Sequence, residues 1–195
     1  MRKYELKARA ESQRQTRDRI AKEAAELHEE KGVANTTVAE IARRAGVTRL
    51  TVYNHFASLS ELLPACAAHY ERLHPTPDFG SVLAEVDADE RVRGVLTRLY
   101  AWYRETEPMY GKLLSDRASV PELDRFVEEN ADRMLAELAD DLVAGFALRG
   151  RRAERLRALI RLALDFWTWR RLTREGLADQ AAADLMAGAV STGAA

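Results

Sequence analysis

An all-α protein is expected from three features of the chain. No stretch sustains period-two alternation, many segments place apolar residues at i, i+3, i+4 and i+7, and capping residues crowd the first third. With 195 residues, 47% hydrophobic and 31% charged, the chain can build a real core of one or two domains. That balance excludes disordered, collagen-like and disulfide-stapled classes.

Taken in order, Ile20, Ala24, Leu27 and His28 trace one face of a first helix, which should stop near Lys31 and Gly32. Thr37 and Glu40 form a capping box that opens a short helix, with Val38, Ile41, Ala42 and Ala45 inward and Gly46 as its end. Thr48 is a second N-cap, and Ser58 with Glu61 a second capping box. So many starts and stops imply very short helices joined by tight turns. A longer helix is expected from Ser58 to about Leu73, and the Pro/Gly-rich stretch 74–80 should be a loop. Further helices are expected over 89–106, 108–115, 121–148, 152–175 and 178–190, with Pro108 and Pro121 in first turns and Gly150 and Gly176 at ends. The tail 191–195 carries too little to be ordered.

Charge is divided unevenly. Residues 1–57 hold 12 Lys and Arg against 8 Asp and Glu, whereas the remainder holds 18 against 23. A basic first third on an acidic body suggests an anion-seeking module on a carrier. The opening MRKYELKARAESQRQTRDR lacks the apolar block of a signal peptide, and Cys66 has no second cysteine to pair with, so a cytoplasmic protein with no membrane partner is expected.

The segment 37–56 has the form of a helix-turn-helix. Gly46 permits the steep turn, Val47 plugs the gap between the helices, and Val52 with Phe56 buries one side of the second. Arg49, Leu50, Tyr53 and Asn54 are left facing outward, with Thr48, Thr51 and His55 at the margins. A guanidinium fork, an amide, a phenol and an imidazole on a slim helix suit the major groove of double-stranded DNA.

Gly32, Thr37, Ile41-Ala42, Ala45-Gly46-Val47-Thr48 and Thr51-Val52-Tyr53-Asn54-His55-Phe56 fall at fixed spacing within a stretch from about Arg17 to Leu63. This pattern resembles the tetracycline-repressor (TetR) family of bacterial transcriptional regulators. The resemblance covers about a quarter of the chain. It implies an N-terminal three-helix DNA-binding domain over 14–74, a C-terminal effector-binding and dimerisation bundle over 75–195, and a homodimer joined by a four-helix bundle. Two positions depart from the family pattern. Leu50 stands where a small residue is usual, and an exposed leucine there suits a thymine methyl. Leu59 stands where a lysine often touches the DNA backbone, which removes one phosphate contact.

Arg49 is expected to bridge guanine O6 and N7, with Asn54 as second base reader. Thr37, Thr48, Thr51, Tyr53 and His55 are expected on phosphates. Arg43 and Arg44 would add non-specific attraction. Residues 1–13, a flexible basic arm that holds Arg2, Lys3, Lys7 and Arg9, would with Arg14 reach the adjacent minor groove; a solvated tail is the competing reading.

In the body, Asn130 interrupts an apolar stripe, so it either bonds a neighbouring helix or faces a ligand. Trp102, Tyr103, Met109, Tyr110, Met134 and Phe166 either line a small-molecule pocket with it or are plain core. Between Leu156 and Leu172 of helix 152–175, Arg157, Arg161, Asp165 and Thr168 form one narrow polar stripe and nearly everything else is apolar. The next helix is rich in small residues, so both call for cover by a twofold mate. Leu159, Ala163, Trp167, Ala181, Leu185 and Ala189 are the expected interface.

The reading is therefore a ligand-released repressor on a palindromic operator. The ligand would act through helix 58–73, expected to connect the two modules. The alternatives are a DNA-binding regulator without effector, or a metal enzyme built on Glu71 and His74. No zinc-type histidine pair, catalytic triad order or phosphate-binding glycine loop occurs, so no catalytic residue, metal or cofactor is expected.

Overall fold

A computed structural model describes residues 2–194, apart from the side chains of residues 2–6 and 8. Among the described residues every regular element is helical. The chain divides into two compact units. One gathers the chain up to Pro75 with Pro108–Val127, and the other gathers Thr76–Glu107 with the chain from Glu128 onward.

The first unit is built on α1 (Arg2–Lys31), α2 (Val38–Arg44), α3 (Arg49–His55) and α4 (Leu59–Leu73). Ile20, Ala21, Ala24, Ala25 and Leu27 of α1 are buried against Ile41, Ala42 and Ala45, Val52 and Phe56, and Leu62 and Cys66. Alanines along α1 let the short helices approach closely. α1 stops at Gly32, whose φ of +87° is the left-handed conformation glycine tolerates. Asp116 lies close against that turn: a Cβ at Gly32 would meet its Oδ2 at 2.4 Å, and Oδ2 accepts from the Ala34 amide at 3.0 Å. Residues 2–13, expected as a flexible arm, belong to α1, because the stretch lacks glycine and proline and is rich in good helix formers. The Arg2 and Lys3 side chains lie outside the described residues.

The second unit takes α5 (Gly80–Leu83), most of α6 (Ala88–Asp116), α8 (Arg133–Ala144), α9 (Gly150–Leu164), α10 (Phe166–Arg174) and α11 (Asp179–Ala194). The end of α6 and α7 (Pro121–Val127) fall in the first unit, where α7 packs on α4. Four sequence expectations change here. Pro108 lies inside α6 and opens no new helix. Buried Thr106 and Met109 on either side hold the helical register, and the division between units falls at this proline. The expected helix 121–148 is interrupted by a π-helical turn, Glu128–Asp132. The expected helix 152–175 breaks at Asp165, whose ψ is 133°. The tail 191–194 is helical, tied down by the Ser191 hydroxyl donating to Asp89 at 2.7 Å.

Candidate nucleic-acid interface

The turn between α2 and α3 is closed by its own backbone. Gly46, at φ +64°, donates to the Arg43 carbonyl at 3.3 Å, and Val47 donates to the Ala42 carbonyl at 2.9 Å. This pair of bonds is a Schellman closure, which answers two orphan carbonyls of α2 and turns the chain sharply into α3. At the front of α2, Thr37 Oγ1 accepts from the Glu40 amide at 3.3 Å while Glu40 Oε2 accepts from the Thr37 amide at 3.1 Å. Bonds from Lys31 first and Thr37 second hold the Glu40 carboxyl down to about 2.

α3 buries Val52 and, at its C-cap, Phe56, each 2% exposed. Its opposite face carries Arg49, Leu50, Tyr53 and Asn54, all exposed. Among the described residues these four side chains meet no ion-pair, hydrogen-bond or ring partner. α3 is held from behind by Arg17 of α1. Its Nη1 donates to the His55 carbonyl, and its guanidinium lies 3.9 Å from the centre of the Phe56 ring. A cation at the carbonyl end of a helix also complements the helix dipole.

The three threonines differ in what they have left to offer. Thr37 gives its hydroxyl hydrogen to Glu40 Oε2 at 2.8 Å, so it has none for a phosphate; its role is the cap. Thr48 Oγ1 caps α3 through the Thr51 amide at 3.1 Å and shares one hydrogen with Thr51 Oγ1 at 2.9 Å. One hydroxyl hydrogen of that pair remains to donate. Arg44, expected in solvent, is engaged with Glu23 at 3.1 Å, Glu26 at 2.8 Å and also Glu30. The three- and four-residue spacing of those glutamates along α1 was the sequence signal for that clamp. Arg43 stays exposed.

The expected ligand residues do not come together. Met109 and Tyr110 fall in the first unit, the other five in the second. Asn130, expected within an apolar stripe, is exposed, because the π-helical turn rotates it out of register with its neighbours. Tyr103 and Phe166 are core: their rings meet edge to face at 5.3 Å, with Trp169 5.7 Å from Tyr103. Trp102 and Met134 are half-buried. The second unit does carry an open cleft of about 680 Å³ lined by Val82, Glu90, Arg93, Thr97, Arg98 and Gln180, among others. None of the expected ligand residues lines it. Its one sequence signal was Gly94 within α6, where a Cβ would come within 2.2 Å of Val82.

Of the expected interface residues, Ala163 is 1% exposed within a single chain and so cannot face a second. Trp167 and Leu185 are 42% and 52% exposed, and Leu162, which the pattern did not single out, is 54% exposed. Ala181 is exposed, while Leu159 and Ala189 are half-buried. Among the described residues no three His, Cys, Asp or Glu side chains gather as a metal site would need, and no helix is long and apolar enough to cross a membrane.

Residues 20–66 match the family described as bacterial regulatory proteins, tetR family. The chain is 45% identical over 71 residues to the HTH-type transcriptional regulator SrpR of Pseudomonas putida, covering 34% of this chain and 32% of that protein. It is 44% identical over 72 residues to the uncharacterized HTH-type transcriptional regulator TtgW of Pseudomonas putida, covering 34% and 52%. It is 35% identical over 89 residues to the HTH-type transcriptional regulator TtgR, also of Pseudomonas putida, covering 46% and 41%. The matches thus span about a third to a half of the relatives' length. Among solved structures, an HlyIIR mutant protein superposes with a TM-score of 0.59 at 16% identity, over 91% of this chain and 96% of that one. The ketosteroid transcriptional regulator KstR2 of Mycobacterium tuberculosis gives 0.51 at 18% identity, over 91% and 92%. These two likenesses concern the fold.

Proposed function

We propose that the chain, whose residues 20–66 match the tetR family of bacterial regulatory proteins, is a sequence-specific DNA-binding transcriptional regulator. The observation that carries this reading is the outward face of α3: Arg49, Tyr53 and Asn54 exposed and uncommitted on a helix whose other face is buried. In this reading α3 enters the major groove. Arg49 bridges guanine O6 and N7, Asn54 meets a second base edge, and Tyr53, His55 and the remaining hydroxyl hydrogen of the Thr48–Thr51 pair take phosphates. Arg43 adds attraction without sequence preference.

The protein acts as a cytoplasmic homodimer, paired through α9, α10 and α11 with Trp167 and Leu185 in the contact. Two recognition helices about 34–36 Å apart then read a palindrome. A small-molecule effector bound in the second unit releases the repressor; α6 contributes residues to both units. Such an effector must prefer the released state, and a hundredfold loss of operator affinity requires about 2.7 kcal/mol of coupling. The reading requires no catalytic group.

The test is selection of bound sequences from a random-sequence duplex pool, followed by mobility shifts with Arg49→Ala. A lost guanine contact costs about 1–3 kcal/mol, so specific affinity should fall about five- to 150-fold per half-site with helicity unchanged. Unchanged specificity in Arg49→Ala would falsify this assignment of the reading face.

A further inference from the structure

We propose that Leu50 reads a thymine 5-methyl group in each operator half-site, next to the base that Arg49 reads; this rests on the DNA-binding reading above. Leu50 is 69% exposed, and Tyr53, one helical turn on, is 52% exposed. A single leucine on a surface needs no explanation. Here, though, the buried side of α3 is already supplied by Val52 and Phe56, so Leu50 and Tyr53 form a second apolar ridge on the opposite side. That ridge runs between Arg49 and Asn54, the exposed polar side chains of the same face.

The chemistry of the groove restricts what such a ridge meets. Every base edge in the major groove presents hydrogen-bond donors or acceptors, and the one apolar group there is the 5-methyl of thymine. A leucine facing cytosine would instead cover the N4 amino donor and leave it without an acceptor, which penalises that base. Position on the helix adds to this. Leu50 is the second residue of α3, and the first residues of a recognition helix are those that reach base edges. Tyr53 carries its phenol to the groove wall, where a phosphate is the better partner. Consecutive helix residues are about 1.5 Å apart along the axis, so the thymine lies within a base pair or two of the base that Arg49 reads.

The experiment replaces each thymine of the selected sequence, one position at a time, by deoxyuridine, which pairs identically and lacks only the methyl. For the wild-type chain, one symmetric pair of positions should lower affinity by about fourfold per half-site, the value of one buried methyl at about 0.8 kcal/mol. In Leu50→Ala the same replacement should change nothing. A flat deoxyuridine scan with the wild type, or an effect that persists in Leu50→Ala, overturns the assignment while leaving the DNA-binding reading intact. Failure to enrich any sequence from the pool overturns both.

Discussion

His28 shows how one buried side chain ties the first unit to pH. It is 4% exposed, and the loss of solvent pushes its imidazole down to about 4, against the opposing pull of Asp116. The folded chain therefore binds this proton less readily than the unfolded chain, whose histidine titrates near 6.5. The stability that neutral His28 confers is fully present above about pH 6.5 and is lost as pH falls from there towards 4; the shift corresponds to about 3 kcal/mol. Urea unfolding at pH 7 and pH 4.5 should show this loss in the wild type and a smaller one in His28→Gln. Parallel pH profiles would remove His28 from the explanation. That His28 faces inward was legible from its place in the Ile20–Ala24–Leu27 stripe. That Asp116 stands beside it was not, because nothing near His28 in the chain points to Asp116.

Among the helices, the joint between α9 and α10 is the clearest case of one element finishing another. The break at Asp165 leaves the last carbonyls of α9 without helical partners. Two tyrosines of α6 supply donors: the Tyr100 hydroxyl to the Ala163 carbonyl at 2.7 Å, and the Tyr103 hydroxyl to the Leu164 carbonyl at 2.8 Å. Asp165 then starts α10 by accepting from the Thr168 amide at 3.0 Å. Tyr103→Phe keeps the packing and removes the donor, so it should destabilise the second unit by about 1–3 kcal/mol. All three tryptophans belong to that unit, so their fluorescence during urea unfolding measures the change. An unshifted midpoint would mean the carbonyl needs no donor. Asp165 was visible in the sequence, but as one polar member of a stripe; periodicity weighs a helix face and does not register a cap within it.

The assembled chain is less linear than its sequence. The boundary expected at residue 75 leaves no place for Pro108–Val127, which return to the first unit after most of α6 has been built into the second. The second unit in turn leaves Leu162, Trp167 and Leu185 exposed on its last helices. If these helices pair two chains, a charge at the contact should part them: Trp167→Glu and Leu185→Glu should each move the sedimenting species from dimer to monomer at micromolar concentration. Operator affinity should fall with it, because a monomer reads one half-site. A dimer that persists in both variants places the contact elsewhere.

Helix starts, the Gly32 and Gly46 stops, the helix-turn-helix and the outward set on α3 were all legible along the chain. The bonds and periodicities behind them link residues no more than a few positions apart, so composition and spacing carry them completely. The exposure of Asn130, the continuity of α6 through Pro108, the clamp on Arg44 and the burial of Tyr103 and Phe166 belong to folding at long range. Tyr100 and Ala163 lie 63 positions apart, and Ala34 and Asp116 lie 82 apart. Burial is a property of two surfaces meeting, and one strip of sequence describes only one of them.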